Sequence, residues 1–156
     1  FEAALGAAGV EGDFNGNGQL DAGDLDLMAA GMVAGDSQYD LTGDNVADID
    51  DRRRWINVLK NSYMGDSNLD GQFNSSDLVA VFSAGKFETG AAANWDEGDW
   101  TGDQLFNSSD FVEAFQGGGY EAGLRAAVAA VPEPASLTGL LLGLLGLLGL
   151  RRRSNG

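Results

Sequence analysis

The sequence predicts a mostly α-helical fold of paired loop–helix units, with short strands between the loops and one hydrophobic helix at the C-terminus. Three observations support this prediction. An acidic 12-residue pattern recurs four times, an amphipathic segment follows each copy, and an uncharged run rich in Leu and Gly lies near the end. Units of about 27 residues are too small to fold alone, so we expect them to pair.

The composition excludes several classes of function. The chain has 24 acidic and 9 basic residues, for a formal net charge of -15, so long-range electrostatics disfavour nucleic acid as a partner. It has no His and no Cys, which excludes histidine-based catalysis, zinc sites of the Cys/His type and disulfides. A hard cation that prefers oxygen ligands stays compatible with this composition.

The recurring pattern is Asp-x-(Asn/Asp)-x-(Asn/Asp)-Gly-x-apolar-(Asp/Asn)-x-x-(Asp/Glu). We name its copies loops 1 to 4; they span residues 13–24, 40–51, 66–77 and 99–110, and their starts lie 27, 26 and 33 residues apart. Ca²⁺ takes six to eight oxygen ligands, and a 12-residue loop can supply them from positions 1, 3, 5, 7, 9 and 12. One copy is a common turn pattern, but four copies predict a calcium site in each loop.

The candidate ligands follow from these positions, with the backbone carbonyl used at position 7. In loops 1 and 2 they are Asp13, Asn15, Asn17, Gln19, Asp21, Asp24, Asp40, Thr42, Asp44, Val46, Asp48 and Asp51. In loops 3 and 4 they are Asp66, Asn68, Asp70, Gln72, Asn74, Asp77, Asp99, Thr101, Asp103, Leu105, Asn107 and Asp110. Loop 4 has Gln104 at position 6, where a positive φ favours Gly. We therefore expect up to four calcium ions, bound most tightly by loop 3 and least tightly by loop 4.

Each loop is expected to lead into a helix. Position 12 is Asp in every copy, and it lies at the N-terminal end of the expected helix, where negative charge is favoured. Apolar residues at helical spacing follow, such as Leu25, Met28 and Met32. Position 8 is apolar and is expected to pair with the partner loop in a short strand; the four residues are Leu20, Ala47, Phe73 and Phe106.

Two further features are explained by local structure, without a binding function. Loops 3 and 4 both end in Asn-Ser-Ser-Asp, and the serines are expected to cap the helices that follow. Arg52, Arg53 and Arg54 are interpreted as a solvated helix face beside many carboxylates, in preference to a binding patch.

The loop-plus-one-helix pairs resemble dockerin modules, whose calcium loops are of the EF-hand type, over about residues 11–122. In dockerins, loop positions 10 and 11 often contact a cohesin partner. Loops 3 and 4 hold Ser75, Ser76, Ser108 and Ser109 at those positions, so the resemblance implies a cohesin-like partner as the alternative to capping. The 33-residue spacing departs from the usual tight pair, because residues 86–98 form an extended connection.

We predict four segments along the chain. Residues 1–63 form one dockerin-like pair of loops and residues 64–123 a second pair, because Glu88 and Glu121 are equivalent after loops 3 and 4; a single four-loop domain is the alternative. Residues 124–134 form a linker with a Pro-Glu-Pro motif. Residues 135–156 form a transmembrane sorting helix with an arginine-rich end.

The C-terminal segment combines a Pro-Glu-Pro motif, an apolar run and an arginine cluster. These features are Pro132, Glu133 and Pro134, then residues 135–150, then Arg151, Arg152 and Arg153. The run gives roughly 24 Å of helix, short of a membrane core of about 30 Å, and its arginines predict that the acidic loops lie outside the cell. The arrangement closely resembles the PEP-CTERM sorting signal. That resemblance implies a sorting protease of the exosortase type, cleavage near the motif, and delivery to the cell envelope or outside.

We expect no catalytic site, because the carboxylates are spaced as metal ligands in units too small to hold a cleft. The predicted function is a non-catalytic, calcium-binding region of an exported protein, acting in structural spacing or protein docking. The alternative is an appendage of a secreted carbohydrate-active enzyme whose catalytic domain lies upstream. The chain begins without Met, and we expect a C-terminal part of a longer protein, with a processed N-terminus as the alternative.

Overall fold

The computed structural model describes residues 9–126, which form four helices separated by loops. The helices span Ala22–Ala34 (α1), Ile49–Arg54 (α2), Ser75–Ser83 (α3) and Ser108–Gln116 (α4), and a π-helical segment over Trp55–Leu59 continues α2. Short 3₁₀ turns lie at Ser37–Tyr39 and Trp95–Glu97. One helix follows each of the four loops, so the prediction of loop-plus-helix units is confirmed.

The residue at loop position 9 caps each helix, and position 12 completes a capping box. The four caps are Asp21, Asp48, Asn74 and Asn107. These paired hydrogen bonds satisfy amides that a helix N-terminus leaves without partners. The prediction that serines cap α3 and α4 is wrong, since Ser75 and Ser108 are the first residues inside those helices.

Pairing of the loops differs from the expected strand between partner loops. An isolated parallel β-bridge joins Phe73 and Tyr120. Position 8 of loop 3 therefore pairs with the chain that follows α4, and the expected pairing with Phe106 is wrong. Phe106 instead accepts a hydrogen bond from the amide of Glu88, in the chain that follows α3.

Aromatic side chains form the centre of the core around loops 3 and 4. Trp100 is buried and packs edge-on against Phe73 and Phe106, with ring centroids 5.8 Å and 6.0 Å apart. Gly65 and Gly98 precede the two loops with φ of 98° and 108°, and a Cβ would come within 2.7 Å and 2.4 Å of these phenylalanine rings. Glycine thus lets each loop close over the ring at its own position 8.

The two predicted pairs share one hydrophobic core in the described part of the chain. Trp95 links them directly. Its indole Nε1 donates to the carbonyl of Asp66 at 2.9 Å, and its backbone amide donates to Asp26 on α1 at 2.9 Å. The extended connection between loops 3 and 4 is therefore packed between the halves of the molecule.

The described residues contain no helix with both the length and the apolar character needed to cross a membrane. The predicted sorting helix, the Pro-Glu-Pro motif and the arginine cluster lie outside the described residues.

Candidate metal centre

The carboxylate at position 1 of each loop accepts hydrogen bonds from the loop's own backbone. In loop 1, Asp13 accepts from the amides at positions 4, 5 and 6 at 2.8 Å to 3.1 Å. Asp40 accepts from positions 4 and 6, and Asp66 from positions 5 and 6. Asp99 accepts only from position 4, at 2.8 Å. The bonds wrap each loop around one carboxylate.

The carboxylate at position 12 closes each loop from the other side. In loops 1, 2 and 4 it accepts from the amides at positions 2, 3 and 9. In loop 3, Asp77 accepts from the amide and hydroxyl of Ser67 and from the position-9 amide. In every loop the carboxylates at positions 1 and 12 therefore both hold the backbone of their own loop.

The intermediate positions lie around the rim of each loop. The side chains at position 5 accept from the position-7 amide in all four loops at 2.8 Å to 3.0 Å, and these residues are Asn17, Asp44, Asp70 and Asp103. At position 3, Asn15 and Asn68 accept from the position-5 amide, whereas Thr42 and Thr101 donate to carboxylates of their loops. Position 9 is used as a helix cap, which suits a ligand that reaches calcium through water.

Two backbone positions of each loop have positive φ. Position 6 has φ of 84°, 73°, 89° and 64° in Gly18, Asn45, Gly71 and Gln104, which confirms the predicted sharp turn. Position 4 is also left-handed, and the sequence interpretation missed it. Three loops have Gly there, whereas loop 3 has Leu69 with φ of 57°. Three glycines at one position were the signal that could have identified this second turn.

Loop 4 brings three carboxylates together. One oxygen from each of Asp99, Asp103 and Asp110 lies within 4.8 Å of the others. Asp99 is 1% exposed, and its Oδ2 is buried without a hydrogen-bond partner. Burial raises the pKa of Asp99 to about 6 and also raises the pKa of Asp110. Asp99 thus leaves one oxygen without a donor, whereas Asp110 accepts from the amides at positions 2, 3 and 9.

A buried arginine lies directly behind loop 4. Arg52 is fully buried and donates to the carbonyls of Asp99, Trp100 and Leu25 at 2.6 Å to 3.0 Å. Its Nη2 lies 3.9 Å from Asp99 Oδ2, and its guanidinium stacks over Trp95 at 5.1 Å. The interpretation of Arg52 as part of a solvated face is therefore wrong, because carbonyls of loop 4 and α1 replace water around its charge.

The other two arginines of α2 are partly exposed and form ion pairs. Arg53 lies 2.6 Å from Glu113 and 2.7 Å from Asp50, and Arg54 lies 2.8 Å from Glu11. No sequence pattern distinguishes Arg52 from its neighbours, since the three stand consecutively in a single polar run.

Two segments clamp loops 3 and 4, and we name them straps. The first strap, residues 88–93, donates from Glu88 to position 8 and from Ala93 to position 6 of loop 4, at 2.8 Å and 2.9 Å. The second strap, residues 120–125, donates from Glu121 to position 8 and from Arg125 to position 6 of loop 3, at 2.8 Å and 3.1 Å. Each strap follows the helix of the other loop, so loops 3 and 4 exchange their straps.

The two strap glutamates are equivalent in detail. Glu88 and Glu121 have φ of 56° and 55°, and their carboxylates accept from the first amides of α4 and α3, those of Ser108 and Ser75, at 3.0 Å and 3.1 Å. The sequence indicates that the two residues are equivalent, but it does not predict that they hold the loops. Residues 86–98, which lengthen the spacing between the loops, include the first strap.

The serines that the dockerin resemblance implicates lie at the surface. Ser75, Ser76, Ser108 and Ser109 are exposed. The hydroxyls of Ser76 and Ser109 donate to the asparagine that caps their helix, at 2.6 Å. All four residues nevertheless stay accessible to solvent.

The comparisons with known proteins concern the C-terminal segment. A family model described as the PEP-CTERM protein-sorting motif matches residues 130–153, which confirms the predicted sorting signal. The match indicates an exported protein that is sorted to the cell envelope or surface by an exosortase, a membrane protease. No curated protein and no solved structure gave a significant match to the chain.

Proposed function

We propose that residues 9–126 form a calcium-binding, dockerin-like module that serves as a non-catalytic spacer or docking element in an exported protein. The observation that carries the proposal is the burial of the first and last carboxylates of the loops. Seven of these eight side chains are at most 1% exposed; they are Asp13, Asp24, Asp51, Asp66, Asp77, Asp99 and Asp110.

Burial of so much negative charge requires compensation. A buried carboxylate is costly unless it is paired or coordinates a metal. Among residues 9–126, Arg52 is the one buried basic side chain, and it lies beside loop 4. Backbone amides supply part of the compensation in all four loops, and a divalent cation in each loop would supply the rest.

The sorting motif is consistent with this assignment. Calcium modules outside the cell operate with dissociation constants of about 10⁻⁴ to 10⁻³ M, because calcium is plentiful there. A protein delivered to the envelope therefore has no need of the tight sites that a cytosolic sensor requires, and loops with Thr or Asn among their ligands suffice.

Docking is favoured over pure spacing by the surface of α3 and α4. Beside the exposed serines, Val79 and Phe82 on α3 are 66% and 50% exposed, and Val112 and Phe115 on α4 are 55% and 45% exposed. Matched apolar and hydroxyl groups on two helices suit a protein partner of cohesin-like type.

Chelation of calcium tests the proposal directly. We expect the full chain in detergent micelles to lose most of its far-ultraviolet helical signal when calcium is removed, and to regain it when calcium is added, because the loops cannot close over unpaired carboxylates. Magnesium at the same concentration is the control, since it dehydrates reluctantly and demands octahedral geometry. A spectrum that calcium does not change, with no calcium bound at millimolar concentration, would show that the loops are ordinary turns.

A further inference from the structure

We infer that the second strap is a positioning element of loop 3, locked by Arg125, so that calcium in loop 3 and attachment of the strap support each other. The inference rests on the proposed calcium function and adds a coupling between one calcium loop and the chain that leads to the sorting motif.

The strap fixes the backbone around the expected position-7 ligand. Arg125 donates to the carbonyl at position 6 and Glu121 to the carbonyl at position 8. The carbonyl of Gln72, which calcium would use, belongs to the peptide unit between these two anchored units. Since each peptide unit is planar, holding both neighbours restricts the direction of the carbonyl between them.

The side chain of Arg125 holds the strap in place. Its Nη1 donates to Asn57 Oδ1 at 2.7 Å and to the carbonyl of Ser62 at 2.8 Å, and its guanidinium lies 5.2 Å from the centre of the Tyr63 ring. These partners lie in the segment that ends α2 and enters loop 3. Ser62 also donates its hydroxyl to Asp66, at position 1 of loop 3. Ser62 therefore contacts both Arg125 and the first predicted ligand of the loop.

Attachment of the strap also sets how far the sorting motif can lie from the folded module. Six residues, 126–131, separate Arg125 from Pro132, and a fully extended chain of that length spans about 20 Å. If the strap is released, 15 residues, 117–131, follow the end of α4, and the reach rises to about 50 Å. Calcium in loop 3 would therefore hold the module close to the membrane protease.

The first arm of the test measures calcium affinity loop by loop. Calcium chloride is titrated into the labelled full chain in micelles, and the amides of Gly71 and Gln104 report loops 3 and 4 by nuclear magnetic resonance. We expect Arg125→Ala to weaken binding at loop 3 about tenfold, within the usual range of coupling between sites, and to leave loop 4 within about twofold. Arg125→Lys, which keeps the charge but loses the fork of donors, should recover part of the loss.

The second arm reverses the direction. At saturating calcium, Asp66→Asn should speed hydrogen exchange at the amides of Glu121 and Arg125 about tenfold, because linkage is reciprocal, and should spare those of Glu88 and Ala93. Asp99→Asn is the matched control. It should speed exchange at the amides of Glu88 and Ala93 and spare those of Glu121 and Arg125. This arm decides the question if Arg125→Ala fails to fold.

The outcomes separate the two proposals. Unchanged affinity at loop 3 in Arg125→Ala, or unchanged exchange of the strap in Asp66→Asn, overturns the coupling and leaves the calcium function intact. If no position-6 amide responds to calcium in the unaltered chain, the calcium function fails and the coupling fails with it.

Discussion

Loops 3 and 4 share their last residues, their aromatic position 8 and their exchanged straps, but they satisfy the first carboxylate differently. Asp66 receives a hydroxyl from Ser62 and amides from positions 5 and 6. Asp99 receives one amide and leaves Oδ2 without a hydrogen bond, 3.9 Å from Arg52. Two loops with the same pattern can thus stabilise the first carboxylate either by local hydrogen bonds or by the charge of an arginine that is distant in sequence.

The difference bears on the predicted order of calcium affinity, which stays a prediction. The unpaired oxygen of Asp99 and the three converging carboxylates favour binding at loop 4. The charge of Arg52 and the strained Gln104 oppose it. Loop 3 has neither advantage and no buried arginine behind it, but it carries its own left-handed residue, Leu69. Its side chains match the calcium pattern more fully. The following changes would separate these contributions.

The largest effect is expected from Arg52→Met. Removal of one partner from a buried ion pair costs about 3 to 5 kcal/mol, because the Asp99 carboxylate loses its neighbouring positive charge and three backbone carbonyls lose their donor. Denaturant unfolding at saturating calcium should show this loss, with faster hydrogen exchange in loop 4 than in loop 3. Arg54→Met is the matched control, since its exposed pair with Glu11 is worth at most about 1 kcal/mol. Equal losses in the two variants would contradict the special place of Arg52.

Acid should stabilise the calcium-free protein. The pKa of Asp99 is raised from 3.8 to about 6 in the folded state, so the folded state binds more protons than the unfolded state between those values. This stability is complete below pH 4 and is lost as pH rises through 6; between pH 5 and 7 it amounts to about 1 kcal/mol.

The raised pKa values of Asp66 and Asp110 act in the same direction. The lowered pKa of Glu97 changes the free energy of unfolding below pH 4.5, which is outside the compared range of pH 5 to 7. The far-ultraviolet helical signal that remains in chelator at pH 5 and pH 7 measures the effect: it should be larger at pH 5, and Asp99→Asn should reduce the difference more than Asp66→Asn. A helical signal that falls on acidification would be the contrary result. With calcium present the trend should reverse, because protons compete for the same oxygens.

The smallest effect is expected from exchange of the position-6 residues. Gln104→Gly should stabilise the protein by about 0.5 kcal/mol, because glycine adopts the required positive φ without strain but loses more freedom on folding. Gly71→Ala should cost about 1 kcal/mol for the same reason in reverse. Thermal unfolding of the two variants checks the opposite signs, and two shifts of the same sign would show that backbone strain does not distinguish the loops.

Local features were predictable from the sequence, and long-range contacts were not. The 12-residue spacing predicts the turn at position 6, the inward first and last carboxylates and the helix starts, since these depend on residues within one loop. The burial of Arg52 depends on carbonyls 47 and 48 residues away. The serine caps were predicted wrongly because Asn at position 9 competes for the same amides and begins the helix one residue earlier.

The exchange of straps has a consequence for how loops 3 and 4 could exist apart. Because each strap serves the other loop, either of these two repeats alone lacks the strap that clamps its own loop. A lone copy of residues 64–97 would complete itself only against a second copy, related by a two-fold axis that makes both contacts identical. The two linked repeats thus have the reciprocal contacts of a homodimer within one polypeptide, and the covalent link makes their pairing independent of protein concentration.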